Sequence, residues 1–328
     1  MGLLDKVSLL LTPNAVKESK LYSIIPSNGT GDLTATRNTT ATRVNSLALI
    51  ESVAANVPRL NYDSVGAPPV ILFENQRTNL LLNSASLSTQ SITTTASLHT
   101  LSFRGTGTVT LSGSFTGSLA GTGANNRVTL TFTPTSATLT VTISGTCNNG
   151  QIELGGFATS NIPTLGSAVT RNQDLFSKTG ITDLIGQNEG VFFLEMKALF
   201  NDSTNRQISI SDGTSNNTII IGYGASANQL SLVLRQNSST IFQSFPSITN
   251  ALVINKIALS YKSGNIGVFV NGVKIISNTS TFTYPSNTFN TLSSDFGNGA
   301  NRYFGSIKGL QLYKTQLTDA ECVSLTTL

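Results

Sequence analysis

The chain has 328 residues, of which 39% are hydrophobic and only 11% charged, with a formal net charge of +4. Hydrophobicity is too high and net charge too low for disorder, no Lys/Arg run offers a nucleic-acid footprint, and two cysteines, Cys147 and Cys322, are too few for a disulfide scaffold. Ser, Thr, Asn and Gly replace the missing charge; Thr favours strands, Asn and Gly favour turns, and the balance predicts an all-β chain of two or three domains.

Residues 1–83 form a first block. Short strands are predicted at Val7–Leu11 and Leu47–Val53, separated by turns at Ser27-Asn28-Gly29 and Val65-Gly66-Ala67-Pro68-Pro69. Met1 to Lys6 lacks the basic start of a signal peptide and the apolar run Val7–Leu11 is too short for one, so no export signal is expected. No apolar stretch is long enough to span a membrane. The block is too irregular for a large core of its own, and its strands are expected to find partners in other chains.

Residues 84–171 form a second block, dense in Thr, Ser and Gly. Leu98–Phe103, Val109–Leu111, Val128–Phe132 and Leu139–Ile143 alternate apolar and polar positions, giving each strand one dry and one wet face, as in an antiparallel sandwich. Glycines such as Gly105 and Gly113 punctuate the strands.

Residues 172–328 form a third block, with strands predicted at Val191–Ala198, Gln207–Ser211, Thr218–Tyr223, Gln229–Arg235, Lys256–Tyr261, Ile266–Asn271, Gly272–Ile276 and Tyr303–Tyr313. Asn271-Gly272 predicts a type I′ hairpin, because both residues accept positive φ. The one good helix is Thr318–Leu325, with Thr318 as N-cap and Glu321 closing a capping box.

Catalytic chemistry has little to work with. The single histidine, His99, is read as a solvent or edge residue beside Thr100, with no nucleophile or acid to form a triad. The two cysteines are read as free thiols. A His/Cys metal site is excluded by count. A Ca²⁺ site on Asp202, Asp212 or Asp295 with neighbouring Asn is weighed and set below the simpler reading that turn Asp side chains bond their own backbone. Glu189 with Glu195 makes a poor glycosidase pair, and Glu153 and Glu195, among apolar neighbours, read as structural partners of Arg or Lys. Catalytic, cofactor-binding and metal residues are therefore none. For ligand binding the candidates are Tyr223 and Tyr284, as aromatic faces, and Asn216, Asn217, Asn298 and Asn301, as amide donors in loops at one end of a sandwich.

Three sets of residues carry a family resemblance. Arg206 to Asn217, Asn255 to Lys262, Val270-Asn271-Gly272-Val273 and the ending Phe304-Gly305-Ser306-Ile307-Lys308-Gly309-Leu310 with Leu317-Thr318-Asp319-Ala320-Glu321 resemble laminin-G/concanavalin-like jelly rolls of phage tail and fibre proteins. Gln151 to Gly155, Phe157 to Thr164 and Val169-Thr170-Arg171 resemble carbohydrate-binding-module-type sandwiches. Phe73 to Leu81 resembles the segment that precedes such sandwiches in phage structural proteins, and Ala41 to Asn45 and Asn56 to Tyr62 resemble segments of phage tail and head-fibre proteins. The resemblance implies an N-terminal virion-attachment and oligomerisation region (1–83), a carbohydrate-binding-module-like β-sandwich (84–171) and a C-terminal jelly roll (172–328). It further implies a non-enzymatic fibre or appendage subunit, made in the host cytoplasm and assembled into a virion, with other virion proteins as partners. A homotrimer is expected, burying Leu9, Leu11, Ile24, Ile25 and Ile71 between chains. The alternative is an adhesin whose C-terminal jelly roll binds host surface glycans. Neither nucleic acid nor a membrane is an expected partner.

Overall fold

The computed structural model describes residues 2–328. It is all-β with antiparallel strand pairing in every sheet; among the described residues the α-helices are Leu3–Lys6 and Asp319–Thr326. Alternation and turn chemistry explain most elements directly. Asn271 and Gly272 adopt φ of 49° and 83°, and Val270 pairs with Val273 across them, the I′ hairpin predicted. Thr318 caps the C-terminal helix: its Oγ1 accepts from the Glu321 amide while Glu321 accepts from the Thr318 amide.

Two sheets form the larger body. One runs Val273–Asn278, Ile266–Val270, Asn255–Lys262, Glu189–Lys197, Gly305–Tyr313, Val70–Phe73, Arg59–Asn61, with Val7–Leu11 also paired to Gly305–Tyr313. The other runs Ser239–Ser244, Leu230–Gln236, Thr218–Tyr223, Arg206–Ser211, Thr291–Ser293, Leu175–Thr179, Thr34–Thr36. Phe192, Leu194 and Met196 of the first sheet share a core with Ile208, Ile210, Ile219 and Ile221 of the second. The intervening Val191 and Phe193 turn outward, where Leu317 and Cys322 of the C-terminal helical segment cover them. This is why Glu189–Lys197 reads as a continuous apolar run rather than an alternation.

The smaller body is the predicted sandwich. A four-stranded sheet (Gln90–Thr93, Thr138–Ser144, Thr108–Gly113, Gly117–Ala120) packs on a three-stranded one (Gly123–Phe132, His99–Gly105, Cys147–Leu154) through Leu101, Phe103, Val109, Leu111, Val141 and Ile152. Chain entry and exit are tied together, since Arg77–Asn79 pairs with Val169–Arg171. The sandwich is thus an insertion carried on a two-stranded neck.

The first block departs from the expected division. Its strands do not wait for other chains: Val7–Leu11 and Val70–Phe73 pair along one edge of Gly305–Tyr313, and Thr34–Thr36 pairs with Leu175–Thr179. Leu9, Leu11 and Ile71 are buried in this chain's own core, Ile25 packs half-buried beneath the C-terminal helix, and Ile24 is exposed. The burial argued for a trimer is therefore satisfied within one chain. The chain before the neck, 1–79, and the chain after it, 169–328, together make one jelly roll, and neither is a closed unit alone, while Leu81 already belongs to the core of the sandwich. Two hairpins of the first block, Val16–Lys17/Lys20–Leu21 and Ala41–Val44/Ile50–Val53, stand apart from the jelly roll's sheets.

Candidate functional site

The loops at one end of the seven-stranded sheet come together as the sequence suggests. The turn after Arg206–Ser211 is organised by Asp212, whose Oδ1 accepts from the Thr214 amide at 2.9 Å and whose Oδ2 accepts from Asn217 Nδ2 at 2.8 Å. The neighbouring turn docks on it: the Asn237 amide donates to Asn217 Oδ1, and Ser238 Oγ donates to Asn216 Oδ1 at 2.6 Å. Loop 295–300 folds over both. Gly297, at φ 97°, lies so near that a Cβ there would meet the Thr214 carbonyl at 2.5 Å; only glycine fits this approach. Asn301 anchors the loop base, its Nδ2 donating to Gln207 Oε1 at 3.0 Å.

The resulting rim presents two amides with spare donors. Asn216 and Asn298 are exposed, each uses its Oδ1 inside the loops, and the Nδ2 of each meets no acceptor among the described residues. Asn217 is consumed by Asp212 and Asn237, so of the four predicted asparagines two remain for a ligand. Phe296, half-buried, lies beside them with Arg235 5.5 Å over its ring. Sequence reasoning passed over this aromatic because Asp295-Phe296-Gly297 reads as a turn.

Tyr223 and Tyr284 are not at this rim. Both are fully buried in the jelly-roll core, Tyr223 beneath Arg206 and Tyr284 between Phe282 and Phe289. The Tyr284 hydroxyl donates to the Arg235 carbonyl at 2.9 Å, and burial pushes both phenols up. Neither can stack beneath a sugar. The aspartates weighed for Ca²⁺ are also engaged: Asp202 pairs with Arg206, Asp212 holds its own turn, and Asp295 accepts from the Gly297 amide and Ser293. None joins a group of three metal-ligating side chains among the described residues.

His99 also differs from expectation. It shares strand parity with Leu101 and Phe103, so its ring turns to the apolar side, stacks on Phe132 at 5.9 Å and makes a 2.7 Å hydrogen bond with the Ser97 carbonyl oxygen. Glu195 pairs with Lys308 at 3.1 Å. Glu153 is fully buried, accepting from Thr159 and Gln151; burial pushes its carboxyl up, while those donors and Arg127 pull the other way.

The largest polar feature went unread in the sequence: a buried ionic hub at the neck. Arg59 donates to Glu74 at 2.6 Å and pairs with Asp174; Arg37 donates to Asp174 at 2.7 Å; Arg171 lies 3.2 Å from Glu74. Ser160, from the sandwich, donates to Glu74 through its amide and its hydroxyl. Burial would raise the Glu74 carboxyl, but Arg171, Arg59 and Ser160 outweigh it and hold it well below the usual carboxylate range. Asn79 spans the neck's sandwich side, donating to the Gly150 and Ile162 carbonyls and accepting from the Leu81 and Ile152 amides. The segment Phe73 to Leu81 is therefore a joint, and its polar residues hold two bodies together.

No curated protein matches this chain. Among solved structures it is similar to the CBM40 of Ruminococcus gnavus IT-sialidase bound to alpha2,3 sialyllactose, at 18% identity and TM-score 0.38 over 44% of this chain and 84% of that one. It is also similar to the K499G mutant of Streptococcus pneumoniae NanB sialidase (17%, TM-score 0.39, 46% of this chain) and to the heptameric SAP-like pentraxin of Limulus polyphemus (15%, TM-score 0.34, 43% of this chain and 70% of that one). The match spans only 26% of the NanB chain. Residues 196–322 match the model of the concanavalin A-like lectin/glucanases superfamily, so this stretch is similar to laminin-G/concanavalin-like jelly-roll domains.

Proposed function

We propose that this protein is a non-catalytic carbohydrate-binding protein whose jelly roll recognises glycans through the loop rim of Asn216, Asn298 and Phe296. The carrying observation is that two exposed asparagines, on loops locked together by Asp212 and Gly297, keep unspent Nδ2 donors inside a domain of lectin type. Fixed amide donors beside an aromatic edge suit sugar hydroxyls, because their order is already paid in the fold. Binding is favoured over hydrolysis because the acids set among apolar neighbours are already engaged: Glu153 and Glu74 are buried in hydrogen-bonded networks and Glu195 is held by Lys308.

The setting we propose is a phage-type virion appendage, made in the host cytoplasm, with host surface glycans as targets. Its support is the resemblance of residues 41–45 and 56–62 to tail and head-fibre segments and of residues 73–81 to the segment that precedes sandwiches in phage structural proteins. A glycan array with the full-length protein tests the binding. Selective binding is expected, weakened about tenfold by Asn216→Asp combined with Asn298→Asp, which keep the Oδ1 acceptors of the loops and remove the Nδ2 donors. Absence of binding to any glycan, or binding indifferent to both substitutions, overturns the site.

A further inference from the structure

The three-stranded sheet of the inserted sandwich sets two arginines side by side. Arg104 and Arg127 are direct cross-strand partners, so their side chains leave the same face at neighbouring positions. Like charges so placed repel, and a sequence that keeps them needs a compensating anion. No direct one is supplied: among the described residues neither arginine has a carboxylate within ion-pair distance, and Glu153 and Glu74 act on Arg127 only from farther away. Arg127 is fixed by neutral acceptors, the Thr159 carbonyl at 2.6 Å and Ser102 Oγ at 2.8 Å. The Arg104 guanidinium, half-buried, donates to no acceptor among the described residues.

The pair faces a built space. A cavity of 40 Å³ lies between Arg104, Arg127, Arg43, Ser160 and Asn161, beneath the hairpin Ala41–Val44/Ile50–Val53. That is room for one small polar group, a water taking about 30 Å³. It adjoins a cleft of 530 Å³ through the shared wall of Thr42, Ile50, Arg104, Asn149 and Asn161. The one acid on that cleft, Glu51, is already held by Arg43 and Asn45. The amides of Asn149 and Asn125 line the cleft with no side-chain partner among the described residues.

We infer that this cleft binds an acidic saccharide, its anionic group seated between Arg104 and Arg127 and its ring hydroxyls on Asn149 and Asn125. Two guanidinium groups in one small cavity select a single carboxylate or sulfate, and the outer cleft, of sugar size and lined by amides, selects a hydroxylated body for it. A nucleic-acid backbone is a poor fit, since the third arginine on the cavity, Arg43, is paired with Glu51 and the positive charge forms no track. The site lies outside residues 196–322 and is independent of the loop rim.

Calorimetric titration of the full-length protein tests this, with three probes: a short oligogalacturonate, the same oligomer methyl-esterified to remove its charge, and sodium sulfate alone. Expected is binding of the charged oligomer that weakens with salt, at least about tenfold tighter than the esterified oligomer or sulfate. Arg104→Gln should reduce that binding at least about tenfold while leaving the ligand-free melting temperature unchanged or raised, because a repulsion is relieved. If the charged oligomer is not bound, the assignment fails when a sulfated oligosaccharide is not bound either. Equal binding of charged and esterified oligomers, sulfate binding as tightly as the saccharide, or Arg104→Gln lowering the melting temperature without weakening binding each overturns it.

Discussion

Glu74 sits 3% exposed between Arg59 and Arg171, and its charge is what makes their burial tolerable. Around it three guanidinium groups, those of Arg37, Arg59 and Arg171, face only two carboxylates, Glu74 and Asp174. Removing one negative charge leaves two of the five groups poorly compensated, and an uncompensated buried charge costs about 3–5 kcal/mol. Glu74→Gln is therefore expected to lower unfolding stability by about that much in denaturant titration at neutral pH. The pH dependence follows from the lowered carboxyl. Its unfolded value lies near 4.5 and its folded value below that, so the folded state binds its proton more weakly. The stabilisation is present above about pH 4.5 and lost as pH falls below it. Wild type should lose stability steeply on acidification through that range while Glu74→Gln loses less; parallel curves would show that the hub does not depend on this charge.

At the scale of elements, the strand Val7–Leu11 has the most unexpected placement. It pairs with residues some 300 positions away and buries Leu9 and Leu11 almost completely in the jelly-roll core. Each such leucine contributes about 1.5–3 kcal/mol, against about 5–15 kcal/mol for a whole domain. Deleting residues 1–11 should therefore leave a chain that melts at a much lower temperature or fails to accumulate as soluble protein, and a fragment of residues 172–328 should not melt cooperatively, since it also lacks Ile71 and Phe73. A cooperative, soluble 172–328 fragment would sink this account. The strand itself is legible in the sequence at its observed bounds, as are Thr218–Tyr223, the Asn271-Gly272 hairpin and the Thr318 cap, because each is set by local period or turn chemistry. Its partner is not legible, because pairing depends on which distant edge lies open. The side of Tyr223 is hidden for a related reason: Thr218–Tyr223 is buried on both faces, so no alternation tells in from out. His99 was readable, since parity with Leu101 and Phe103 places it on the dry side. Asn216 and Asn298 were readable as turn residues, whereas the meeting of their loops rests on Gly297, one of many glycines in the sequence.

For the whole molecule, the question is whether the two bodies need each other. They share the hub through Ser160, and they touch again where Phe157 of the sandwich stacks on Phe200 and Phe304 of the jelly roll, with Arg77 over Phe157 and Arg206 over Phe304. Their apolar cores, however, are separate clusters, and the only covalent links are the two strands of the neck. Asn79 and Val169 are register partners there, and antiparallel partners have Cα atoms about 4.5–5.5 Å apart, close enough for a two-residue turn. Replacing residues 80–168 by Asn-Gly should therefore give a jelly roll that folds by itself and melts cooperatively. Its melting temperature should fall moderately, because Glu74 loses its Ser160 donors and Phe200 loses its cover, but the core around Phe192, Ile208 and Ile221 stays intact. Calorimetry distinguishes the outcomes: one cooperative transition supports an autonomous jelly roll built from both ends of the chain. An aggregated or non-cooperative product would mean that the insertion is part of the same folding unit, with the hub as its centre.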